Sequence, residues 1–449
     1  MVEIVSFLNE GLGHSSHVVD LGDGQALVID PARFPTAQRR FAAERGFTIT
    51  WTADTHSHAD YISGSPELAA DGAQFLASAA AGLAVPHRGV EPGEEVEMAD
   101  GVLLRAIPTP GHTPDHVAFL LTVGEEQIAL FSGGSLMVGA LGRTDLLGEQ
   151  HRDRLARQLF RALRTEVLTL PDELPVYPTH GGGSFCSAPS ASARTTTIGQ
   201  ERRSNPLLGI DEEDEFVERL LTGLGTFPTY FWALPEINRR GPRLYPGVPR
   251  LARLDLATVQ THLAAGAGLV DARPMAAFAE AHPTGALSIQ HRSGFASWLG
   301  WLVDLDLPIV FVLDDDTNRE DLVRQSLTIG HDQILGELAG GIDAWREGGL
   351  PTASIPLISP TGIVGTVIDV RQRPEWEAGH LPSAVHVELG ALPAATMIDG
   401  PITVMCGHGE WAMTGASVLA HRGHGDLSVL AGGPDNWAAA TGSQLAVGP

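Results

Sequence analysis

Short apolar runs that end at turn residues alternate with helical stretches from Val2 to about Gly183. The runs stop at aspartate, glycine or proline, which is typical of β-strands. The helical stretches, Pro35 to Arg45 and Glu149 to Thr165, lie between such runs. Strands that alternate with helices predict a layered α/β domain. The predicted strands on which the argument depends are Ala26 to Ile29, Phe47 to Trp51, Leu103 to Ile107 and Ile128 to Phe131.

A connecting segment follows, from about Ser184 to Val248. It contains five prolines between Pro206 and Pro246, and an acidic run that precedes a predicted helix, Phe216 to Leu224. A loop of this length with little structure of its own is unusual in a compact protein. We therefore expect the segment to pack across the first domain.

About the last two hundred residues contain an internal repeat. Asp271 and Asp369 each end an apolar run, and an arginine follows each aspartate two residues later. A histidine, His282 or His380, follows each aspartate after eleven residues. Both copies close on a Gly-Gly-x-Asp-x-Trp motif. These matched positions predict three domains, with the bounds 1–248, 249–353 and 354–449.

The composition excludes several classes of function. Acidic residues outnumber basic ones 54 to 29, for a formal charge of −25. Such a surface repels phosphate backbones, so nucleic acid is not an expected partner. No stretch approaches the ~18 apolar residues of a membrane span, and acidic residues interrupt the start of the chain, so neither a membrane protein nor a signal peptide is expected. The two cysteines, Cys186 and Cys406, lie in different predicted domains, which favours a reducing cytoplasm over a disulfide framework.

Four histidines stand at the ends of predicted strands. His56 and His58 follow the second strand, and Asp60 lies just beyond them. His112 and His180 follow later strands, each in a Thr- and Gly-containing turn. A single histidine is most simply a surface or hydrogen-bonded residue. The four histidines and Asp60 in this order instead predict a metal site, because strand ends of an open α/β sheet meet where ligands bind. Imidazole and carboxylate are the ligands expected for zinc or non-haem iron.

This order of motifs resembles the metallo-β-lactamase fold and, within it, persulfide dioxygenases and glyoxalase II-like hydrolases. The resemblance extends to Phe131 to Leu136 and to Gly142 to Leu146, and Val176 to Cys186 resembles bacterial members fused to rhodanese domains. It implies an αββα sandwich followed by two α/β rhodanese-like domains. It also implies one Fe(II) or Zn(II) ion, a glutathione-type persulfide as substrate, and a homodimer.

Arg143 and Asp145 are the candidate substrate-binding residues, with Arg143 meeting the substrate's carboxylate, since a guanidinium can donate two parallel hydrogen bonds to it. The alternative is an ion pair with Asp145. Cys186 ends a glycine-rich turn and has no neighbour in sequence that marks a thiolate, so we expect a buried structural residue.

Two positions depart from the family pattern. The dioxygenases hold iron with two histidines and one carboxylate, and the resemblance places His56 and His112 as the histidines. The carboxylate position is Gly134 in this chain, and Tyr61 stands where two-metal members place a histidine. A dinuclear site is therefore poorly supported. A three-histidine zinc site that includes His58 is the alternative.

Cys406 follows a predicted strand, Pro401 to Met405, and opens a glycine-containing loop before a predicted helix, Met413 to Arg422. The arrangement resembles the nucleophilic loop of rhodaneses, in which backbone N–H groups and a helix N-terminus stabilise a thiolate or persulfide. The resemblance implies that Cys406 is the catalytic cysteine. An inert buried thiol is the alternative.

The loop also differs from the family pattern. Trp411 replaces the usual cation, and Glu410 should raise the pKa of the thiol, which a protonated His408 would offset. In the first copy the cysteine position is Asp314, so that copy cannot form a persulfide.

Three functions are consistent with these observations. The leading hypothesis is a cytoplasmic sulfur-metabolism enzyme that oxidises a glutathione-type persulfide at one metal ion, while Cys406 transfers sulfane sulfur. The second is a zinc thioester hydrolase of the glyoxalase II type. The third is a catalytically impaired sulfur carrier or scaffold, because Gly134, Asp314 and Trp411 each replace a group that catalysis uses.

Overall fold

Two units make up the chain in the computed structural model, which describes residues 2–186, 193–396 and 398–448. One unit comprises Met1–Val248 with Leu327–Gly330, and the other comprises Pro249–Ser326 with His331–Pro449. Among the described residues, no helix combines the length and the apolar character needed to cross a bilayer.

Two six-stranded sheets lie at the centre of the first unit. The strands of the first sheet, in their order across it, are β1 (Ile4–Asn9), β2 (His14–Gly22), β3 (Gln25–Ile29), β4 (Thr48–Ala53), β5 (Gln74–Ser78) and β6 (Arg88–Val90). The strands of the second sheet are β7 (Glu95–Ala99), β8 (Val102–Pro108), β9 (Val117–Val123), β10 (Glu126–Gly133), β11 (Pro175–Pro178) and β12 (Thr196–Thr197), also in this order across the sheet.

Helices cover the outer faces of both sheets. They are α1 (Thr36–Arg45), α2 (Ser65–Ala70), α3 (Glu149–Thr165), α4 (Ile198–Ser204), α5 (Glu213–Thr222) and α6 (Leu234–Arg240), with 3-10 turns at Ala79–Ala81, Val167–Thr169 and Thr229–Trp232. Because successive strand residues point to opposite faces, Leu27 packs between the sheets while Ala26 and Val28 pack under Phe41 of α1. In the second sheet, Leu121 likewise packs between the sheets, while its neighbour Leu120 packs against α3 on the outer face. The result is the expected αββα sandwich.

The connecting segment is part of this unit. The predicted helix at Phe216 is α5, which begins three residues earlier, at Glu213, because acidic side chains are favoured in a first turn. Its Phe216 ring packs on Phe160 of α3 with centroids 5.1 Å apart. The segment therefore packs on the first domain, as the sequence predicted.

The second unit holds two five-stranded parallel sheets and a short antiparallel pair. The strands of the first copy are β13 (Arg253–Leu254), β14 (Gly268–Asp271), β15 (His282–Pro283), β16 (Leu287–Ser288), β17 (Ile309–Val312), β18 (Ile334–Leu338) and β19 (Thr352–Ala353). The strands of the second copy are β20 (Leu357–Ile358), β21 (Thr366–Asp369), β22 (Val385–His386), β23 (Ile402–Met405) and β24 (Leu427–Leu430). The orders β13-β18-β17-β14-β16 and β20-β24-β23-β21-β22 correspond strand by strand, so the sequence repeat is a repeat of topology.

Helices follow most of these strands along the chain. They are α7 (Leu256–Ala264), α8 (Met275–Glu280), α9 (Phe295–Leu302), α10 (Arg319–Thr328), α11 (Gly341–Glu347), α12 (Arg373–Ala378), α13 (Glu410–His421) and α14 (Pro434–Thr441), with a 3-10 turn at Leu389–Ala394.

The repeated Asp and Arg residues are structural in both copies. Arg273 forms a buried bidentate pair with Asp271 and donates to the carbonyl of Ala281, at 2.8 Å. Arg371 does the same with Asp369 and with the carbonyl of Gly379, also at 2.8 Å. Each pair ties the end of a strand to the end of the next helix.

Candidate metal centre

The strand ends of the first unit meet at one edge, and each leads to a buried polar residue. Asp30 follows β3, His56 and His58 follow β4, His112 follows β8, and His180 follows β11. The structure brings the predicted histidines together, with ring centroids 4.9 Å apart for His56 and His112 and 5.3 Å apart for His56 and His180.

The turn that carries His56 to Tyr61 is held by the connecting segment. The side-chain amide of Asn238 donates to the carbonyls of His58 and Tyr61, at 2.9 and 3.0 Å. The hydroxyl of Tyr230 donates to the carbonyl of Asp60, at 3.3 Å. These contacts satisfy backbone groups that a buried turn would otherwise leave unpaired.

A hydrogen-bond relay fixes the orientation of His56. The Thr55 hydroxyl donates to Oδ2 of Asp30 at 2.8 Å, so it accepts from the Nδ1–H of His56 at 2.9 Å. The Nε2 atom of His56 is left with a free lone pair. Asp30 has a φ of +51°, and backbone strain of this kind clusters at functional sites. Burial alone would raise the pKa of Asp30, but the adjacent His58 holds this pKa well below its usual range.

The Nε2 atoms of His56 and His180 lie 3.3 Å apart. Nδ1 of His180 lies 3.3 Å from Oδ2 of Asp60, and although burial lowers the pKa of His180, the nearby Cys186 and Asp60 raise it above its usual value. In the neutral ring with its proton on Nδ1, Nε2 presents a lone pair to His56. Two facing lone pairs repel each other unless a proton or a cation lies between them. Two nitrogens bound to a tetrahedral zinc ion at about 2.0–2.1 Å are separated by about 3.3 Å. The pair therefore has the spacing of two ligands to one ion.

His112 also presents a free nitrogen. Its Nδ1–H donates to the carbonyl of Arg143 at 2.8 Å, and its Nε2 is buried without a hydrogen-bond partner. Burial lowers the pKa of His112 to about 3, so the ring is neutral, as a metal ligand must be. A Cβ at Gly134 would lie 2.3 Å from Cδ2 of this ring, and one at Gly142 would lie 2.8 Å from Nδ1. The ring is therefore packed between two glycines.

A second group of ligand-type residues, Asp30, Asp54 and His58, lies beside the first. Nε2 of His58 is 3.2 Å from Oδ1 of Asp30, and burial raises the pKa of Asp54 to about 6. Tyr61 fills the adjoining space, with its ring 4.3 Å from that of His58 and 4.1 Å from that of His14. An aromatic ring thus occupies the position of the histidine of two-metal relatives.

Arg143 lies in an ion pair. Its guanidinium binds both carboxylate oxygens of Asp145, at 2.7 and 2.8 Å, and donates to the carbonyls of Phe185 and Gly225, both at 2.9 Å. The Arg143 side chain is 2% exposed and stacks on Phe227. Of the two roles considered from the sequence, this geometry is that of the ion pair with Asp145.

Three site residues had no clear signal in the sequence. Asp30 follows a strand, but Pro31 makes it look like a turn residue. His116 accepts a hydrogen bond from the N–H of Gly134 at 2.9 Å. Because its partner is a backbone group, no sequence motif identifies this histidine as part of the site. Cys186 lies with His112 and His180, where one ligand atom of each is within 4.8 Å of the others. The sequence predicted a buried structural cysteine with no neighbour in sequence that marks a thiolate. The structure shows it fully buried, beside two imidazoles that are distant from it or not adjacent to it in sequence.

These observations fit a metal ion. Unpaired nitrogens of buried imidazoles are costly unless a ligand satisfies them. Nε2 of His112 is unpaired, and the Nε2 atoms of His56 and His180 lie 3.3 Å apart. A cation beside these rings would satisfy the nitrogens. The residues that could hold an ion form two groups that share His180, with Asp60 against that histidine. One group is His56, His58 and His180, and the other is His112, His180 and Cys186.

The Cys406 loop in the second unit lies between β23 and α13. Helix α13 begins at Glu410, three residues earlier than predicted, so Trp411 lies in its first turn, where its ring packs on Trp298 at 5.0 Å. The Cys406 sulfur accepts the N–H of Gly409 at 3.0 Å, as the resemblance to the rhodanese loop implies. Arg292 of the first copy lies 4.0 Å from Glu410 and offsets its charge.

Comparison with known proteins identifies both units. The rhodanese-like domain model matches residues 255–348 and 358–440. The human mitochondrial persulfide dioxygenase ETHE1 is 31% identical over 205 residues, which cover 44% of this chain and 73% of that protein. A hydroxyacylglutathione hydrolase of a Methylobacterium species is 32% identical over 240 residues, 47% of this chain and 89% of the relative.

A solved structure extends the likeness beyond the first unit. The crystal structure of a metallo-β-lactamase from Staphylococcus aureus subsp. aureus COL is 28% identical, with a TM-score of 0.66 over 75% of this chain and 98% of that one. The fold, the histidine set and these relatives agree. The chain belongs to the metallo-β-lactamase-fold family that includes persulfide dioxygenases and hydroxyacylglutathione hydrolases, and it carries two rhodanese-like domains.

Proposed function

We propose that the chain is a sulfur-metabolism enzyme in which the first unit oxidises a glutathione-type persulfide at a single metal ion and Cys406 transfers sulfane sulfur. The observation that carries the proposal is the pair formed by His56 and His180, whose Nε2 atoms lie 3.3 Å apart, beside His112, whose buried Nε2 has no hydrogen-bond partner. The likeness to persulfide dioxygenases and the rhodanese-like repeat supports sulfur as the element handled.

The protein's own groups prepare the site. The carbonyl of Arg143 and the Thr55–Asp30 relay hold His112 and His56 in the tautomers that direct Nε2 into the site. Burial of these rings excludes water and keeps them neutral. When bound, the ion supplies a Lewis-acidic centre on which a small ligand can be held and activated.

Oxygen uptake tests the proposal. The full chain is incubated with glutathione persulfide, O₂ and Fe(II), and uptake is compared with that of His112→Ala. We expect a fall of at least roughly 10–100-fold in the variant, because a ligand is lost. His87→Ala, which removes a histidine outside the cluster, is the matched control and should keep the rate. Wild-type uptake no faster than that of His112→Ala would overturn the proposal.

A thioester hydrolase is the second candidate. The observation that favours it is the match to a hydroxyacylglutathione hydrolase, which covers 89% of that relative's length. A metal-bound water would attack the acyl carbon without O₂. Turnover of a glutathione thioester under anaerobic conditions would establish this reaction. Elemental analysis separates the candidates further, because iron favours the dioxygenase, zinc the hydrolase, and the absence of metal a sulfur carrier.

A further inference from the structure

Cys186 lies against the histidine cluster. It is fully buried, and a ligand atom of each of His112, His180 and Cys186 lies within 4.8 Å of the others. In sequence it follows His180 by six residues, at the end of a glycine-rich turn.

The main chain of Arg143 holds this cysteine beside His112. The Arg143 N–H donates to the carbonyl of Cys186 at 3.0 Å, while the Arg143 carbonyl accepts from Nδ1 of His112 at 2.8 Å. The Arg143 guanidinium also binds the carbonyl of Phe185, the residue before the cysteine, at 2.9 Å. One residue therefore positions the imidazole and the thiol together.

The family's carboxylate has no room beside the His112 ring in its present position. A Cβ at Gly134 would lie 2.3 Å from Cδ2 and 2.9 Å from Nε2 of His112, well inside any normal contact distance. The imidazole thus occupies the space that an aspartate at position 134 would need. Nε2 of His112 is itself buried without a hydrogen-bond partner, so it is available to bind an ion.

We propose that the Cys186 thiolate supplies the anionic ligand that Gly134 lacks, and that it binds one divalent cation together with His112 and His180. The S–H bond breaks, its proton passes to solvent, and a sulfur–metal bond forms without any change of oxidation state. The thiolate restores the negative charge of the missing carboxylate. As a softer donor, it favours Zn²⁺ or Co²⁺ more than an aspartate would. This inference rests on the metal centre of the proposed function but not on its substrate.

Cobalt binding tests the ligand directly. The full chain is stripped of metal with a chelator and titrated anaerobically with Co²⁺, because a cobalt–thiolate bond gives an intense near-ultraviolet charge-transfer absorption that nitrogen and oxygen ligands do not give. The decisive sample is Cys406→Ser, in which Cys186 is the one remaining cysteine of the chain. We expect the absorption to appear in the wild type and in Cys406→Ser with one equivalent of Co²⁺.

Cys186→Ser should lose this absorption and bind Co²⁺ at least roughly 10–100-fold more weakly. Visible cobalt bands without the charge-transfer absorption in Cys406→Ser would overturn the inference and leave the imidazole centre of the proposed function intact. No Co²⁺ binding at all would overturn both. The Cys406→Ser spectrum decides the question even if Cys186→Ser fails to fold.

Discussion

The two cysteines of the chain are both buried, yet their surroundings differ in kind. Cys186 lies among ionisable side chains, with His180 and His112 beside it and Asp60 close enough to influence its charge. Cys406 lies among backbone N–H groups, one of which, from Gly409, is 3.0 Å from its sulfur. Burial raises the pKa of both thiols. Asp60 raises the pKa of Cys186 further and His180 lowers it, whereas at Cys406 backbone N–H groups counter the rise.

The difference shows two ways to stabilise a sulfur anion. At Cys186 the nearby carboxylate disfavours a thiolate, whereas positive charge beside the sulfur, on His180 or on a bound metal ion, favours one. At Cys406 fixed dipoles are already directed at the sulfur, and no cation of the chain has to be close. Each pocket therefore favours a different chemistry for the same residue type.

The largest expected effect is on sulfur transfer. Cys406→Ser should reduce the transfer of sulfane sulfur from thiosulfate to cyanide by roughly 10³-fold or more, because a hydroxyl cannot carry the transferred sulfur. Cys186→Ser should still catalyse this transfer, which requires no metal. The readout is the rate of thiocyanate formation. If the wild type transfers sulfur no faster than Cys406→Ser, Cys406 is an inert thiol, and the two cysteines do not differ in chemistry as argued above.

A smaller effect is expected at the glycine that packs on His112. Gly134→Ala should weaken Zn²⁺ binding by about 10–100-fold, because the added methyl group displaces a ligand ring. Overpacking should also cost about 1–3 kcal/mol of unfolding free energy. Zn²⁺ affinity is measured by competition with a chelator, and unfolding by denaturant titration.

Gly209→Ala is the matched control for this substitution, since a Cβ there meets nothing closer than a carbonyl at 3.9 Å. It should leave Zn²⁺ affinity unchanged. Equal affinities in the two variants would contradict the assignment of His112 as a packed ligand.

The smallest effect concerns pH. In Cys186→Ser, Cys406 is the remaining thiol. Because its pKa is raised, its thiolate fraction should still increase as the pH rises above about 8.5, the ordinary pKa of a cysteine. The rate of alkylation by iodoacetamide should therefore keep rising above that pH, while the rate for N-acetylcysteine levels off. A plateau below about pH 8 would show that the N–H groups outweigh burial, and would sharpen the contrast with Cys186.

Much of this architecture could be predicted from the sequence. The bounds of α3 coincide with the predicted helix, because its apolar positions follow helical periodicity over seventeen residues. The histidines were found because each follows a strand. The position of Cys186 beside the histidines was missed because the Arg143 backbone brings it close to His112, and backbone contacts leave no side-chain signature in the sequence.

Arg143 itself illustrates the same limit. A conspicuous arginine near a site suggests a bound anion, yet here its nitrogens are used by Asp145 and by carbonyls of Phe185 and Gly225. Which partner an arginine takes depends on tertiary packing, and the sequence can supply only the alternatives.

The packing of the His112 ring between Gly134 and Gly142 also has a consequence for protein engineering. One base change turns some glycine codons into aspartate codons, but an aspartate at position 134 would collide with the imidazole. A carboxylate can therefore be introduced here only together with a second substitution that lets the ring move.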